Sequence, residues 1–124
     1  MFTLDTNAII YIIKKDENAI YLLHDIMARP EIPLYVSTIT ETELFSFSQI
    51  TPDEARKIEN FLENISLVPL MSQIARTAGH IRGAYNIKLA DSVIAATTLF
   101  TGSTLLTRNT KDFQKIPGFK MQAI

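Results

Sequence analysis

The chain has no cysteine among its 124 residues, which excludes disulfides, thiolate metal sites, iron–sulfur clusters and cysteine nucleophiles together. It has no apolar run of the roughly 18 residues that a membrane span needs. No Gly-x-Ser-x-Gly elbow, Walker loop or Gly-x-Gly-x-x-Gly fingerprint occurs, so the common nucleophile and nucleotide-phosphate motifs are missing. Only two histidines are present, and His24 and His80 stand alone, which suits structural positions better than a general base. Net charge is nearly absent as well, at −1. The opening MFTLDTNAII places Asp5 where a secretion signal would run unbroken and apolar, so a cytoplasmic protein is expected.

What is present suits one globular domain over residues 1–124: 47% of the residues are hydrophobic and 20% are charged. A chain this long can bury about two thirds of its unfolded surface without staples. Its charge is unevenly distributed. Residues 1–75 hold 5 basic and 11 acidic side chains, whereas residues 76–124 hold 7 and 2. Folded together, such halves can make an acidic site with a basic rim, although two differently solvated faces would give the same count.

Short β-rich segments alternate with amphipathic ones. Phe2-Thr3-Leu4 predicts a buried strand stopping at Asp5, and Ile9, Ile10, Ile12 and Ile13 continue as a helix toward Lys14-Lys15. Ala19, Ile20, Leu22, Leu23, Ile26 and Met27 recur at helical spacing until Arg29-Pro30. Leu34–Ser37 predicts the second strand. Thr40-Glu41-Thr42-Glu43 has the form of a capping box and predicts a helix through Leu44, Phe45 and Phe47. A second box, Thr51-Pro52-Asp53-Glu54, leads into Ile58, Phe61, Leu62 and Ile65. Ser66–Pro69 predicts a third strand, and Ser72 opens a helix through Tyr85, where Gly79 and Gly83 would permit close helix packing. Asn86-Ile87-Lys88 interrupts, and a helix from Leu89 ends near Gly102. Thr104–Leu106 predicts a fourth strand, Thr107–Gln114 a polar loop, and Phe119–Ala123 an edge strand. The economical fold is α/β, a parallel sheet of four to five strands with helices on both faces.

Sites in such sheets lie beyond the carboxyl ends of the strands. That rule selects Asp5 after the first strand, Glu43 in the helix after the second, Asp91 in the helix before the fourth, and Asp112 after the fourth. Two carboxylates about 4 Å apart repel by roughly 4 kcal/mol at an effective dielectric near 20. A convergent set must therefore protonate or bind cations, and oxygen ligands without His or Cys favour Mg²⁺ or Mn²⁺. Such ions support phosphodiester cleavage. Each acid also has an ordinary explanation. Glu43 can be the reciprocal half of the Thr40 box, Asp5 an N-cap, and Asp112 a solvated loop residue. Asp91, among Leu89, Ala90, Val93, Ile94, Ala95 and Ala96, is harder to explain without a pocket or a partner.

Four segments together resemble PIN-domain ribonucleases: Leu4-Asp5-Thr6-Asn7, Ile39–Leu44 containing Glu43, Leu89-Ala90-Asp91 through Ala96, and Thr107-Arg108-Asn109-Thr110-Lys111-Asp112-Phe113. They fall in family order across the whole chain, most like the VapC-type toxins of toxin–antitoxin pairs. The resemblance implies a Mg²⁺- or Mn²⁺-dependent endoribonuclease, restrained by a cognate antitoxin protein and forming a homodimer, with RNA as substrate and no membrane partner. It also implies that Asp5 and Asp91 are principal metal ligands, Glu43 a ligand or an outer acid, and Asp112 the fourth acid, with Thr107, Asn109 and Asn7 supporting them. Arg82, Lys88, Arg108 and Lys111 are candidates for contact with RNA phosphates. The apolar stretches Ile9–Ile13 and Phe45–Phe47 suit a dimer seam or an antitoxin groove.

Two other functions fit a chain of this class. A catalytically silent PIN-fold binding module would keep the fold but not need the acids. A receiver-like phospho-acceptor domain would need an acidic pair after the first strand, an Asp after the third and a Lys near the last. Here Asp5 is single, Val68-Pro69-Leu70 holds no acid, and Thr107–Asn109 offers Arg108 instead.

Overall fold

The computed structural model describes residues 1–14 and 17–124, with the backbone alone for 17–20. Lys15 and the side chains of Ala19 and Ile20, which figure in the expected first and second helices, lie outside the described residues. The elements run β1 (Phe2–Leu4), α1 (Thr6–Ile13), α2 (Glu17–Met27), β2 (Leu34–Ser37), α3 (Thr38–Phe45) and α4 (Pro52–Leu62). They continue with β3 (Ser66–Val68), α5 (Ser72–Tyr85), α6 (Leu89–Thr101), β4 (Thr104–Thr107), α7 (Thr110–Phe113) and β5 (Met121–Ala123).

The strands pair in parallel in the order β3-β2-β1-β4-β5. Side chains alternate across a strand, so neighbours on β4 serve different cores. Leu105 packs with Ile74, Ile81, Ile94 and Phe113 beneath α5 and α6. Leu106 packs with Leu4, Ile9, Leu23, Val36, Leu44 and Ile58 beneath α1 to α4. Helices thus cover both faces, as the alternating pattern implies. Because the chain moves from β1 outward to β3 and then returns to the other side of β1, the connections diverge at the carboxyl end of β1. Such a divergence opens a crevice, which is where open α/β sheets place their sites.

The two Thr-x-x-Glu sequences behave differently. Thr51 does cap α4, accepting from the Glu54 amide at 3.1 Å, with Pro52 in the first turn. Thr40 caps nothing. Strand β2 passes directly into α3 at Ser37, whose extended backbone (φ −70°, ψ 145°) and hydroxyl, accepting from the Ile39 amide at 3.2 Å, make it the cap. Thr40 is therefore interior to the helix and fully buried, and Glu43 is released from capping. Helix α3 also stops at Phe45, so Phe47 lies beyond it.

The expected polar loop after the fourth strand is partly regular: Thr107 completes β4, and residues 110–113 form α7, whose Phe113 is buried and stacks on Phe119. Gly79 and Gly83 do not mediate packing, because both are exposed and an added Cβ at either would meet nothing within 4 Å. Asn86 ends α5 in the left-handed conformation (φ 53°), and the Arg82 guanidinium braces this turn by donating to the Ile87 carbonyl at 3.2 Å. Among the described residues, no helix is long and apolar enough to cross a membrane.

Candidate active site

At the crevice, Asp5 ends β1 and caps α1, its Oδ1 accepting from the Ala8 amide at 2.8 Å. The N-cap role and the site position coincide in one carboxylate. Asp5 is buried, and burial pushes its carboxyl above the usual range; the charge of Glu43 pushes the same way, while bonds from the Thr107 hydroxyl and the Ala8 amide oppose both. Glu43, on α3, accepts a hydrogen bond from the Thr6 hydroxyl through Oε1. Glu41 faces elsewhere, beside Phe45 and Glu59.

Asp91 lies in the first turn of α6 and is half-buried. Burial, and then the charges of Asp5, Glu43 and Asp112, push its carboxyl up to about 6 against the opposing charge of Lys88. Four acids from four segments therefore share one electrostatic field. Asp112 sits at the rim: the amide of Asn109, and then the charges of Lys115 and Lys88, hold its carboxyl below the usual range. Asn109 links the rim to the centre, donating to Asp112 Oδ2 at 2.9 Å and to Asp91 Oδ2 at 3.5 Å. Thr107 is buried beneath it, its hydroxyl accepting from the Asn109 amide at 2.9 Å and helping to lower the Asp5 carboxyl.

These groups line a cavity of about 310 Å³ formed by Asp5, Thr6, Asn7, Glu43, Lys88, Asp91 and Asn109, with Ile10 and Phe47 as its apolar wall. Lys88 is the cation of this lining. Of the other basic candidates, Lys111 is exposed on α7, whereas Arg82 braces the Asn86 turn and Arg108 packs over the Tyr11 ring. His24 and His80 are exposed on α2 and α5, outside the cavity. The expectation missed Thr6, whose role depends on α3 crossing close to the start of α1, a tertiary fact with no local signal.

A second cavity of about 570 Å³ adjoins the first, sharing Asn7, Ile10 and Phe47 and adding Ile13, Leu44 and Ile50 with Lys14 and Lys57 at its margin. Ile9, named with the apolar stretch in the sequence, points into the core and takes no part.

The donors at the centre are carboxylate, amide and hydroxyl oxygens, which suit a hard divalent cation. Among the described residues, no three acidic or histidine side chains are grouped closely enough to ligate one ion directly. Instead the carboxylates lean toward neutral donors, Glu43 toward Thr6 and Asp91 toward Asn109. Burial first, and then mutual repulsion, raises the Asp5 and Asp91 carboxyls, and a cation would offset both costs. The residues fit such an ion in type and charge.

Fold and site define a parallel α/β domain with an acidic crevice at the carboxyl edge of its sheet. The PIN domain family model matches residues 2–118, and the chain belongs to that family. Similar solved structures include VapBC-1 from nontypeable Haemophilus influenzae (30% identity, TM-score 0.79, covering 98% of this chain and 96% of that one). A toxin–antitoxin complex from Klebsiella pneumoniae is similar at 26% identity and TM-score 0.79, covering 100% and 96%. VapBC2 from Rickettsia felis, bound to a promoter DNA fragment, shares the fold at TM-score 0.83 and 23% identity, covering 99% and 98%. No curated protein matches the chain by sequence.

Proposed function

We propose that the chain is a Mg²⁺- or Mn²⁺-dependent endoribonuclease and the VapC-type toxin of a toxin–antitoxin pair. The observation that carries this reading is the shared field of Asp5, Glu43, Asp91 and Asp112 in one crevice, with Asp91 pushed up to about 6. Asp5 and Asp91, with Asp112 at the rim, would hold the cation, and Glu43 would orient it or the attacking water. When bound, the ion lowers the pKa of a water and stabilises the leaving oxygen of a phosphodiester. Thr107 and Thr6 hold Asp5 and Glu43 in place, and Asn109 does the same for Asp91 and Asp112. Lys88, on the cavity lining, would contact a phosphate oxygen of the RNA.

The antitoxin is proposed to lay an apolar segment in the groove of Ile10, Ile13, Leu44 and Phe47, whose continuity with the acidic cavity lets a basic side chain of the partner reach the acids. The toxin–antitoxin structures similar to this chain support that partner. A homodimer in the cytoplasm is proposed as well, with exposed Leu99 and Phe100 available for contact, and light scattering tests it.

The test of activity is incubation of the purified chain with total RNA in Mg²⁺ or Mn²⁺, beside an EDTA control and Asp91→Asn. Discrete fragments that need the ion and vanish in the variant are expected. Intact RNA from the folded wild type in both metals, or equal cleavage by the variant, would overturn the assignment.

A further inference from the structure

Arg108 lies between the two residues that steady the acids, Thr107 beside Asp5 and Asn109 beside Asp91 and Asp112. Its guanidinium carbon sits 3.9 Å above the centre of the Tyr11 ring, within the range of a cation–π contact. Its Nε donates to the Ile124 carbonyl at 3.1 Å, and the Ile124 amide in turn donates to the Thr107 carbonyl at 3.2 Å. Tyr11 belongs to α1, the helix capped by Asp5. These contacts close a ring that runs from Asp5 along α1 to Tyr11, across to Arg108, through Ile124 to Thr107, and back along β4 to Leu106, whose carbonyl accepts from the Asp5 amide at 3.4 Å.

We infer that Arg108 is a positioning residue that clamps the turn between β4 and α7 onto α1, fixing the Thr107 hydroxyl and the Asn109 amide against the acids, and is not an RNA contact. A planar guanidinium can stack and donate at once, which a lysine ammonium at the same place cannot match. Removing the clamp leaves every acid in the chain but lets the turn carrying Asn109 shift relative to Asp91. A misplacement of about 1 Å in such a site costs on the order of 100-fold in rate.

This inference rests on the nuclease reading for its kinetic test, and on metal binding alone for a second test. Arg108→Ala, Arg108→Lys and Tyr11→Leu are compared with Lys88→Ala, which models loss of a phosphate contact. Single-turnover cleavage, RNA affinity in EDTA across a salt series, and Mn²⁺ affinity of the metal-free protein are measured. For Arg108→Ala and Tyr11→Leu the expected results are a rate lower by about 10- to 100-fold and weaker Mn²⁺ binding, with RNA affinity and its salt slope as in the wild type. Arg108→Lys recovers only part of the loss.

A salt slope reduced by about one in Arg108→Ala, with the maximal rate intact, would make Arg108 an RNA contact and overturn the clamp. Wild-type rate and Mn²⁺ affinity in Tyr11→Leu would overturn it too, and that variant decides the matter if Arg108→Ala fails to fold. If the wild type binds Mn²⁺ but cleaves no RNA, the nuclease reading fails, and the clamp then stands or falls on Mn²⁺ affinity alone.

Discussion

The two Thr-x-x-Glu segments of this chain differ in context more than in sequence. At Thr51 the box closes on itself at the surface: the hydroxyl accepts from the Glu54 amide, Asp53 pairs with Arg56 and Lys57, and nothing distant is involved. At Thr40 the same spacing lies one turn inside a helix already capped by Ser37, and Glu43 reaches across to Thr6 on another helix. One segment is spent on local stability and the other on a tertiary site. A capping motif therefore predicts a helix more securely than it predicts what its acid does.

The largest effect that would sharpen this contrast lies just across the cavity from Glu43. Asp91→Asn should abolish RNA cleavage while raising the melting temperature of the metal-free protein at pH 7, because it removes a carboxylate whose charge is disfavoured first by burial and then by Asp5, Glu43 and Asp112. With allowance for partial exposure, the gain is about 1 kcal/mol, or roughly 4 °C for a domain of this size. Gel assays and thermal melts read the two effects, and a fall in both would indicate misfolding rather than a lost ligand.

Next, Glu43→Gln should slow cleavage by about 10- to 100-fold, whereas Glu54→Gln leaves it unchanged. Equal rates for the two variants would erase the distinction between the segments. Thr51→Ala and Ser37→Ala should each cost about 1 kcal/mol of stability as lost N-caps. Thr51→Ala should do so with cleavage intact, as denaturant melts beside a cleavage assay would show.

The last effect, no larger than the lost caps, is in pH. The Asp5 and Asp91 carboxyls titrate above their ordinary value of 3.8 in the folded chain, so between about pH 6 and 4 the folded state binds more protons than the unfolded one. Stability of the metal-free protein should therefore rise as pH falls through that window, by about 1 kcal/mol. Asp112, held below its ordinary value, acts oppositely, and its contribution is lost only at still lower pH. Chemical denaturation at several pH values in EDTA would show the trend, and a flat profile would mean that burial and mutual repulsion do not hold these two carboxyls up.

Much of this architecture was legible in advance because strands and helices announce themselves locally. Leu34–Ser37, Ser72–Tyr85 and the stop at Gly102 follow from the strand-favouring Tyr35-Val36 pair, helical spacing and a C-cap glycine. The start of α3 was not legible, since Ser37 serves as both the last strand residue and the cap, and a later Thr-x-x-Glu imitated the signal. The short helix at Thr110 was hidden too, because only the burial of Phe113 distinguishes it from a polar loop. At the site, the strand-end rule picks out Asp5, Glu43 and Asp112, and the apolar neighbours of Asp91 mark it, but Thr6, and the ties that hold Arg82 and Arg108, depend on tertiary contacts. Counting charges marks basic residues as RNA contacts, and only geometry shows which are already committed.

The most direct test of the central claim is calorimetric titration of Mn²⁺ into the metal-free protein at pH 7 and pH 5, in the wild type and Asp91→Asn. With the Asp91 carboxyl near 6, binding should be present at pH 7, weaken by about tenfold at pH 5, and be lost in the variant. Binding that ignores both pH and the loss of Asp91 would place the ion elsewhere and contradict the account.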